Sequence, residues 1–312
     1  MLQSALNPAG TQAQRIEALW WLMFWVTGIV TVVVLAFLAV AIVRGRRRSR
    51  PDSGADARLL RYVAWSTAAT VVVLLGLLVS SIVTGRAMAS QRANQSLIVE
   101  VTANQWWWNV EYQHPEPEQR VRTANELHLP TGRTVMIKLL ASDVIHSFWV
   151  PSLHGKLDAI PGHSAELYLQ IDKPGVYRGQ CAEYCGVQHA HMAFVVVAEE
   201  PDAFERWIQA QRTTALDPQT EQQRRGRQLV QAGTCAMCHT VRGTSAGARR
   251  APDLTHLATR ATLAAGTLPF TREHLTQWLD NPQRIKPGTK MPRIGLSPGD
   301  RDAIVAYLEQ LK

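Results

Sequence analysis

Two uninterrupted apolar runs near the start of the chain set the strongest limit on what it can fold into. Residues 20–43 hold 24 positions without a charge, and 62–84 hold 23 more. At a rise of roughly 1.5 Å per residue, a helix over the first run extends about 36 Å, enough for a hydrocarbon layer of about 30 Å. Both runs are longer and more evenly apolar than the core helices of soluble proteins, so they predict a transmembrane hairpin. The connecting stretch 44–61 reads RGRRRSRPDSGADARLLR, seven arginines against two aspartates. Positive charge collects on cytoplasmic loops. That rule puts this loop in the cytoplasm, and the N-terminal tail and everything after residue 84 on the far side of the membrane. The first run makes a poor cleavable signal, because its arginines follow the apolar stretch and no small-residue cleavage site comes after it.

Beyond residue 90 the periodicity shortens. Within 165–171, Ala165, Leu167, Leu169 and Ile171 share one face while Glu166, Tyr168 and Gln170 take the other, the alternation of a half-buried strand. Runs 97–101, 106–112, 134–140, 144–150 and 193–198 read similarly, parted by turn signals at Pro130-Thr131-Gly132, Pro161-Gly162 and Lys173-Pro174-Gly175. Many short strands between turns predict an antiparallel sandwich or barrel. A helix over 201–211, with Phe204, Trp207 and Ile208 on one face, closes this all-β domain. The polar stretch 212–220 reads as a linker. From 221 to 312 the period is helical. One helix begins at Thr271, turns Leu275, Trp278 and Leu279 inward and stops at Asn281-Pro282; another opens at Ser297-Pro298 with Ile304, Tyr307, Leu308 and Leu311 inward. The predicted fold class is a multidomain membrane protein. Its parts are a tail and hairpin over 1–90, an all-β domain over 91–211 and an all-α domain over 221–312.

The formal charge of +8 does not form one basic surface, since 91–220 carries −5 and 221–312 carries +7. Nucleic acid is therefore no expected partner. The opposite signs predict a contact between the two outer domains that is oriented by charge and weakened by salt. A short flexible linker would hold the local concentration on the order of millimolar.

Four cysteines fall in two short motifs, which points to metal or cofactor chemistry rather than a disulfide framework. The first motif, QCAEYCGVQHAHM, places Cys181, Cys185, His189 and Met192 within twelve residues on a loop between two strands. Thiolates, imidazole and thioether together are soft ligands that suit copper. A blue-copper site needs one Cys, two His and a weak axial Met; here a second thiolate is present, and two sulfurs can bridge a pair of ions. The second histidine must come from elsewhere, and His146 in the apolar context DVIHSFWVP is the choice. A C-x-x-x-C disulfide and a zinc site are the alternatives, and neither requires a Met three residues after the His. Trp106, Trp107 and Trp108 taken alone fit strand packing.

At this point the chain resembles cytochrome c oxidase subunit II. Two spans, then QWWWNVEY, DVIHSFWVPSLHGKLDAIPG and QCAEYCGVQHAHM, follow that family in order over about 17–211. The resemblance implies a cupredoxin-like domain with a dinuclear copper centre, CuA, held by His146, Cys181, Cys185, His189, Met192 and the backbone carbonyl of Glu183. It implies that the Glu183 side chain faces a magnesium ion shared with subunit I. Trp106 falls where the family has its electron-input tryptophan, and Asp158 lies in the segment that faces the large subunit. His191 matches no ligand. His163 and Phe148 stand where many members have Arg and Trp.

The second motif, Cys235-Ala-Met-Cys238-His239, has the spacing at which two thiols add to haem vinyl groups while the next His reaches the iron. A zinc reading would need another pair of ligands at suitable spacing, and 221–312 holds no further Cys. The motif sits in about 90 residues with helices at both ends, and APDL supplies Pro252, whose carbonyl can orient the His239 ring. The sixth ligand follows by elimination. Met291 in TKMP is the one methionine after His239, and its rivals are His256 and His274, the latter on the exposed side of its helix. Ligation by His and Met raises the potential relative to two imidazoles. Residues 221–312 resemble a class I cytochrome c.

Together the resemblances imply the electron-input subunit of a haem-copper terminal oxidase, an oxidoreductase of the respiratory chain. Electrons would pass from haem c to the copper pair and on to a haem in subunit I, where oxygen is reduced to water. The two spans hold no histidine, so oxygen reduction and proton pumping fall to that polytopic partner. Subunit III, membrane lipid, and a soluble cytochrome c or a quinol-cytochrome c reductase as donor complete the implied partners. The metal motifs by themselves leave other settings open: a copper-containing nitric oxide reductase, a membrane-tethered carrier acting alone, and a copper-delivery or thiol-exchange protein.

Overall fold

The computed structural model describes residues 3–45, 55–89 and 97–312, so half of the arginine-rich stretch 44–61 lies outside the described residues. The chain separates into two compact units, residues 14–92 and the remainder. In the first, helices α1 (Thr11–Gly45) and α2 (Ala55–Ala89) run 35 residues each, past both ends of the charge-free stretches. The extension follows from flanking residues such as Gln14, Glu17, Arg58 and Leu59, which favour helix and carry no breaker. Apolar side chains ring both helices and stay exposed, Phe37 and Trp65 among them. Both helices are long and apolar enough to cross a membrane.

The second unit opens with the N-terminal tail, which is strapped to the β-domain. Ala9 N donates to Ser152 O at 2.7 Å, and Gly10 bridges to Ile171. Two five-stranded sheets follow. One runs β3 (Val121–Ala124), β2 (Trp107–Tyr112), β1 (Leu97–Asn104), β5 (Thr134–Ala141), β8 (Ala165–Gln170); the other β4 (Glu126–Pro130), β10 (Ala193–Glu199), β9 (Gly175–Cys181), β6 (His146–Trp149), β7 (Leu157–Ala159). The β1–β5 and β4–β10 pairs are parallel and the rest antiparallel. The expected alternation holds, with Leu167, Leu169 and Ile171 buried. Between the sheets, the Trp108, Phe148 and Phe194 rings meet at 4.6–5.8 Å. Helix α3 (Pro201–Gln211) buries Phe204 and Ile208 and stacks Trp207 on His128 at 4.1 Å.

In the helical region, Thr220 and Gln223 cap each other's backbone at the start of α4 (Glu221–Ala232). Helix α5 (Arg272–Asp280) starts on Thr271 and stops at Asn281, where Pro282 opens the single turn α6 (Pro282–Ile285). Helix α7 (Pro298–Leu308) is capped by Ser297 and buries Ile304, Tyr307 and Leu308. Helices α4 and α7 cross at Gly226, where a Cβ would stand 2.0 Å from the Ala303 carbonyl oxygen.

The polar stretch 212–220 differs from the flexible tether its composition suggests. Ala215 N donates to Arg242 O at 3.0 Å, the Thr213 carbonyl lies 3.1 Å from His256 Nε2, and Asp217 pairs with Arg227 at 2.7 Å. Several of its residues bond to the helical region and Arg212 Nε donates to Gln119 O in the β-domain, so the stretch is packed rather than loose.

Candidate metal centres

Strand pairing assembles the first site. Cys181 ends β9 and Met192 immediately precedes β10, its antiparallel partner, with Cys181 N donating to Met192 O at 2.9 Å. On the other side β9 pairs with β6, whose first residue is His146. The intervening loop must therefore return to its origin, carrying Cys185 and His189 with it. Cys181 Sγ lies 3.7 Å from Cys185 Sγ, 3.8 Å from His146 Nδ1 and 3.2 Å from the Glu183 carbonyl oxygen. Cys185 Sγ lies 3.6 Å from His189 Nδ1 and 3.8 Å from Met192 Sδ. His146, Cys185 and Met192 are at most 2% exposed, so water barely competes for these donors.

Two thiols this close cannot both ionise easily. The Cys185 thiol donates to Cys181, which holds the Cys181 pKa far below its usual value and drives that of Cys185 up. A bound cation removes that conflict, because it displaces the shared proton. Both cysteines are free, and a disulfide would need the sulfurs at about 2.05 Å. Zinc prefers four Cys, His or carboxylate ligands and has no use for a thioether. The donor set therefore fits copper. His146 is also oriented from behind, its Nε2 lying 2.9 Å from Asp143 Oδ1.

Trp106 closes over this loop. Its indole Nε1 donates to the Cys185 carbonyl at 3.0 Å, and Gln105 Nε2 donates to the same oxygen at 2.8 Å. The next residue, Gly186, has φ +116°, and a Cβ there would stand 3.0 Å from the indole ring. Only glycine lets the ring seat so closely. Trp108, by contrast, is a core residue, fully buried with its ring 6.2 Å from that of His146.

At the second site, His239 N donates to Cys235 O, closing a turn that brings both thiols and the imidazole together. Pro252 O lies 2.7 Å from His239 Nδ1, which leaves Nε2 to face a metal. Burial lowers the His239 pKa and so favours the neutral, ligating ring, against a smaller opposing pull from that carbonyl. Met291 is half-buried against the helical core, its loop clamped by Gln283 Nε2 on the carbonyls of Thr289 and Met291. His256 turns its Nε2 to the 212–220 stretch, and half-buried His274 turns its Nδ1 to Pro269 O. Two free thiols, an oriented imidazole and a thioether over an apolar core fit a covalently attached haem.

The two sites share a seam. Residues 286–290, directly before Met291, lie on the copper loop: Gln188 Nε2 donates to Pro287 O at 2.8 Å and Gly288 packs on the Trp106 ring. Lys290 Nζ meets Asp143 Oδ2 at 3.1 Å, the carboxylate whose other oxygen holds His146. Lys286 is 2% exposed, and its Nζ donates to the carbonyls of Trp106, His191 and Ala264 at 2.7–2.9 Å. Burial pulls its pKa down to about 7, although three carbonyl oxygens match the three N–H groups of its charged form.

Residues 114–199 match the family described as cytochrome C oxidase subunit II, periplasmic domain, and 223–312 match the cytochrome c family. A cytochrome c oxidase subunit 2 from Alkalihalophilus pseudofirmus is 32% identical over 319 residues, spanning 99% of this chain and 91% of that protein. The chain belongs to the cytochrome c oxidase subunit 2 family. The subunit 2 of Bacillus subtilis is 34% identical over 235 residues, 71% of this chain and 64% of that protein. Among solved structures, the periplasmic domain of subunit II of cytochrome oxidase of Bradyrhizobium japonicum is 28% identical. It covers 38% of this chain and 94% of that one, at a TM-score of 0.35. Membership makes the chain a component of an oxidoreductase, a membrane protein with an extracytoplasmic domain. The two matches imply copper in the β-domain and haem in the helical one.

Within the family's copper region, the structure brings His146, Cys181, Cys185, His189, Met192 and the Glu183 carbonyl into one cluster. The Glu183 side chain points elsewhere, its Oε2 3.6 Å from Lys156 Nζ, which also lies 3.9 Å from Asp158. His191 keeps its ring exposed and Phe148 packs in the core. Asp143, Gln105, Lys286 and Lys290 escaped the sequence reading. Asp143 alone left a signal, a carboxylate three residues ahead of the buried His146.

Proposed function

We propose that this chain is the electron-input subunit of a haem-copper oxidase, passing electrons from its own c haem to a dinuclear copper centre and on to a haem in subunit I. The observation that carries the reading is the seam, where the loop bearing Met291 rests on Trp106, and Trp106 donates to the carbonyl of Cys185. When bound, the two groups supply one-electron carriers; the protein's residues hold them. Cys235 and Cys238 would bind haem through thioether links, and His239 and Met291 would ligate its iron. His146, Cys181, Cys185, His189, Met192 and the Glu183 carbonyl are the copper ligands. Six donors, two of them thiolates, would be enough to hold two copper ions.

The outer part divides at the 212–220 stretch into a copper module over 91–211 and a cytochrome module over 221–312. The tail strapped to the copper module supports placing both hairpin ends on the periplasmic side. The exposed apolar faces of α1 and α2 suit lipid, subunit I and subunit III. A soluble cytochrome c or a quinol-cytochrome c reductase would donate to the haem. Glu183, facing outward beside Lys156 and Asp158, is the residue toward a magnesium ion at the subunit I boundary.

Metal counts and paramagnetic resonance on the purified subunit test this. Two coppers sharing one unpaired electron, with one low-spin c haem, are the expected result; a single copper or a zinc ion would overturn it. Met291→Leu is expected to abolish the sulfur-to-iron absorption and lower the haem potential. An unchanged spectrum would assign the sixth position to His256 or His274.

A further inference from the structure

The charge division of the sequence suggests a salt-sensitive encounter between the two modules, but the contact is built differently. Lys286 sits at the C-terminal end of α6 with its ammonium enclosed by three carbonyls drawn from three segments. Trp106 belongs to the turn between β1 and β2, His191 to the copper-ligand loop and Ala264 to the cytochrome module itself. Lysine is the one side chain with three N–H groups converging on a single atom, so it can bind three separate backbone segments at once. An exposed ion pair does less, because solvent screens it and its long side chains resist being fixed. Hydrogen bonds on both sides of this group belong to the same seam: Ala193 N donates to Ala265 O at 3.0 Å, and Ala261 N to Glu126 Oε1 at 2.7 Å.

We propose that Lys286 is an interdomain lock, a positioning residue that holds the Met291 loop on Trp106 and the copper loop in a single orientation, so that haem-to-copper transfer has no docking step. The inference rests on the electron path proposed above and adds to it what holds the two carriers in register. Two consequences follow. Transfer is indifferent to ionic strength, since a sealed, buried contact offers little for salt to screen. Trp106, 8% exposed beneath the Gly288 turn, is closed to any outside carrier, which must deliver to the haem instead.

The test compares Lys286→Met, which keeps the stem and removes all three donors, with Lys286→Gln, which keeps two. In the full-length protein the c haem is reduced in one rapid step, and its reoxidation by copper is followed at low and high salt. The unaltered chain should show one rate at both. Lys286→Met should slow transfer about tenfold or more, spread it over several rates and make it salt-dependent, because small misplacements of reacting groups are costly. Lys286→Gln should fall between the two. Optical and resonance spectra of both centres should stay unchanged, and hydrogen exchange at the Ala193 amide should rise in the order native, Gln, Met. Native rate and salt-indifference in Lys286→Met would overturn the lock, as would salt dependence in the unaltered chain. Failure of the unaltered chain to transfer from haem to copper at all would instead overturn the electron path. If Lys286→Met fails to fold, Lys286→Gln with native rate and native exchange at Ala193 overturns the lock by itself.

Discussion

Replacing Cys185 with serine is expected to silence the copper centre while leaving the cytochrome module intact. Serine preserves the shape of a side chain that is 2% exposed, so the loop should still fold. Its hydroxyl, however, stays protonated at neutral pH and is a hard donor, unable to replace a thiolate that serves copper. Cys185 is also the sulfur nearest both His189 and Met192, so its loss strands two further ligands. Copper content should fall below two, the near-infrared absorption of the pair should vanish, and oxygen consumption by the assembled oxidase should drop more than about a hundredfold. Even outer-shell changes at metal sites cost about 10–100-fold. The c haem should still accept electrons from its donor at the normal rate. Oxidase turnover that survives this substitution would show that current bypasses the two sulfurs.

Gly226→Val is expected to have the opposite distribution of effects. Gly226 lies where α4 crosses α7, and the added Cβ would meet the Ala303 carbonyl oxygen at 2.0 Å and the Tyr307 Cβ at 2.8 Å. Neither neighbour is a flexible side-chain tip; one is backbone and the other the root of a fully buried tyrosine. The helices must therefore separate. Overpacking commonly costs about 1–3 kcal/mol, and an overlap against backbone belongs at or above the upper end. The haem absorption should melt well below that of the native chain, with Gly226→Ala intermediate. The copper module has its own core around Trp108, Phe148 and Phe194, so its near-infrared band should persist. Coincident melting of both centres in the native chain and the variant alike would contradict this division.

Much of this arrangement was legible in the sequence, for reasons tied to particular residues. Strict alternation announced β8 through Leu167, Leu169 and Ile171. Caps announced α5 at Thr271 and α7 at Ser297. Strand β9 is visible in the sequence only as the strand the ligand loop leaves, because two glycines dilute its apolar character, and β3 and β4 are hidden because a single residue, Asn125 at φ +61°, separates them. At the site, ligand types and spacing carried the copper cluster, since soft donors in one loop have few other uses. The seam was not legible. Lys286 reads as one of many surface cations, and its role depends on three carbonyls that sequence cannot rank. Carbonyl oxygens are the same at every residue, so only the fold shows which ones converge. The polar stretch 212–220 misled for a related reason, as a composition suited to a linker is equally suited to hydrogen bonding against Arg242, Arg227 and His256.

The central claim is that electrons travel from this chain's haem to its copper pair. Rapid reduction of the haem in the intact subunit, with the haem and near-infrared copper bands recorded together, tests it most directly. Haem reoxidation and copper reduction should proceed with one common rate. A haem that stays reduced while copper fills from the donor would contradict it.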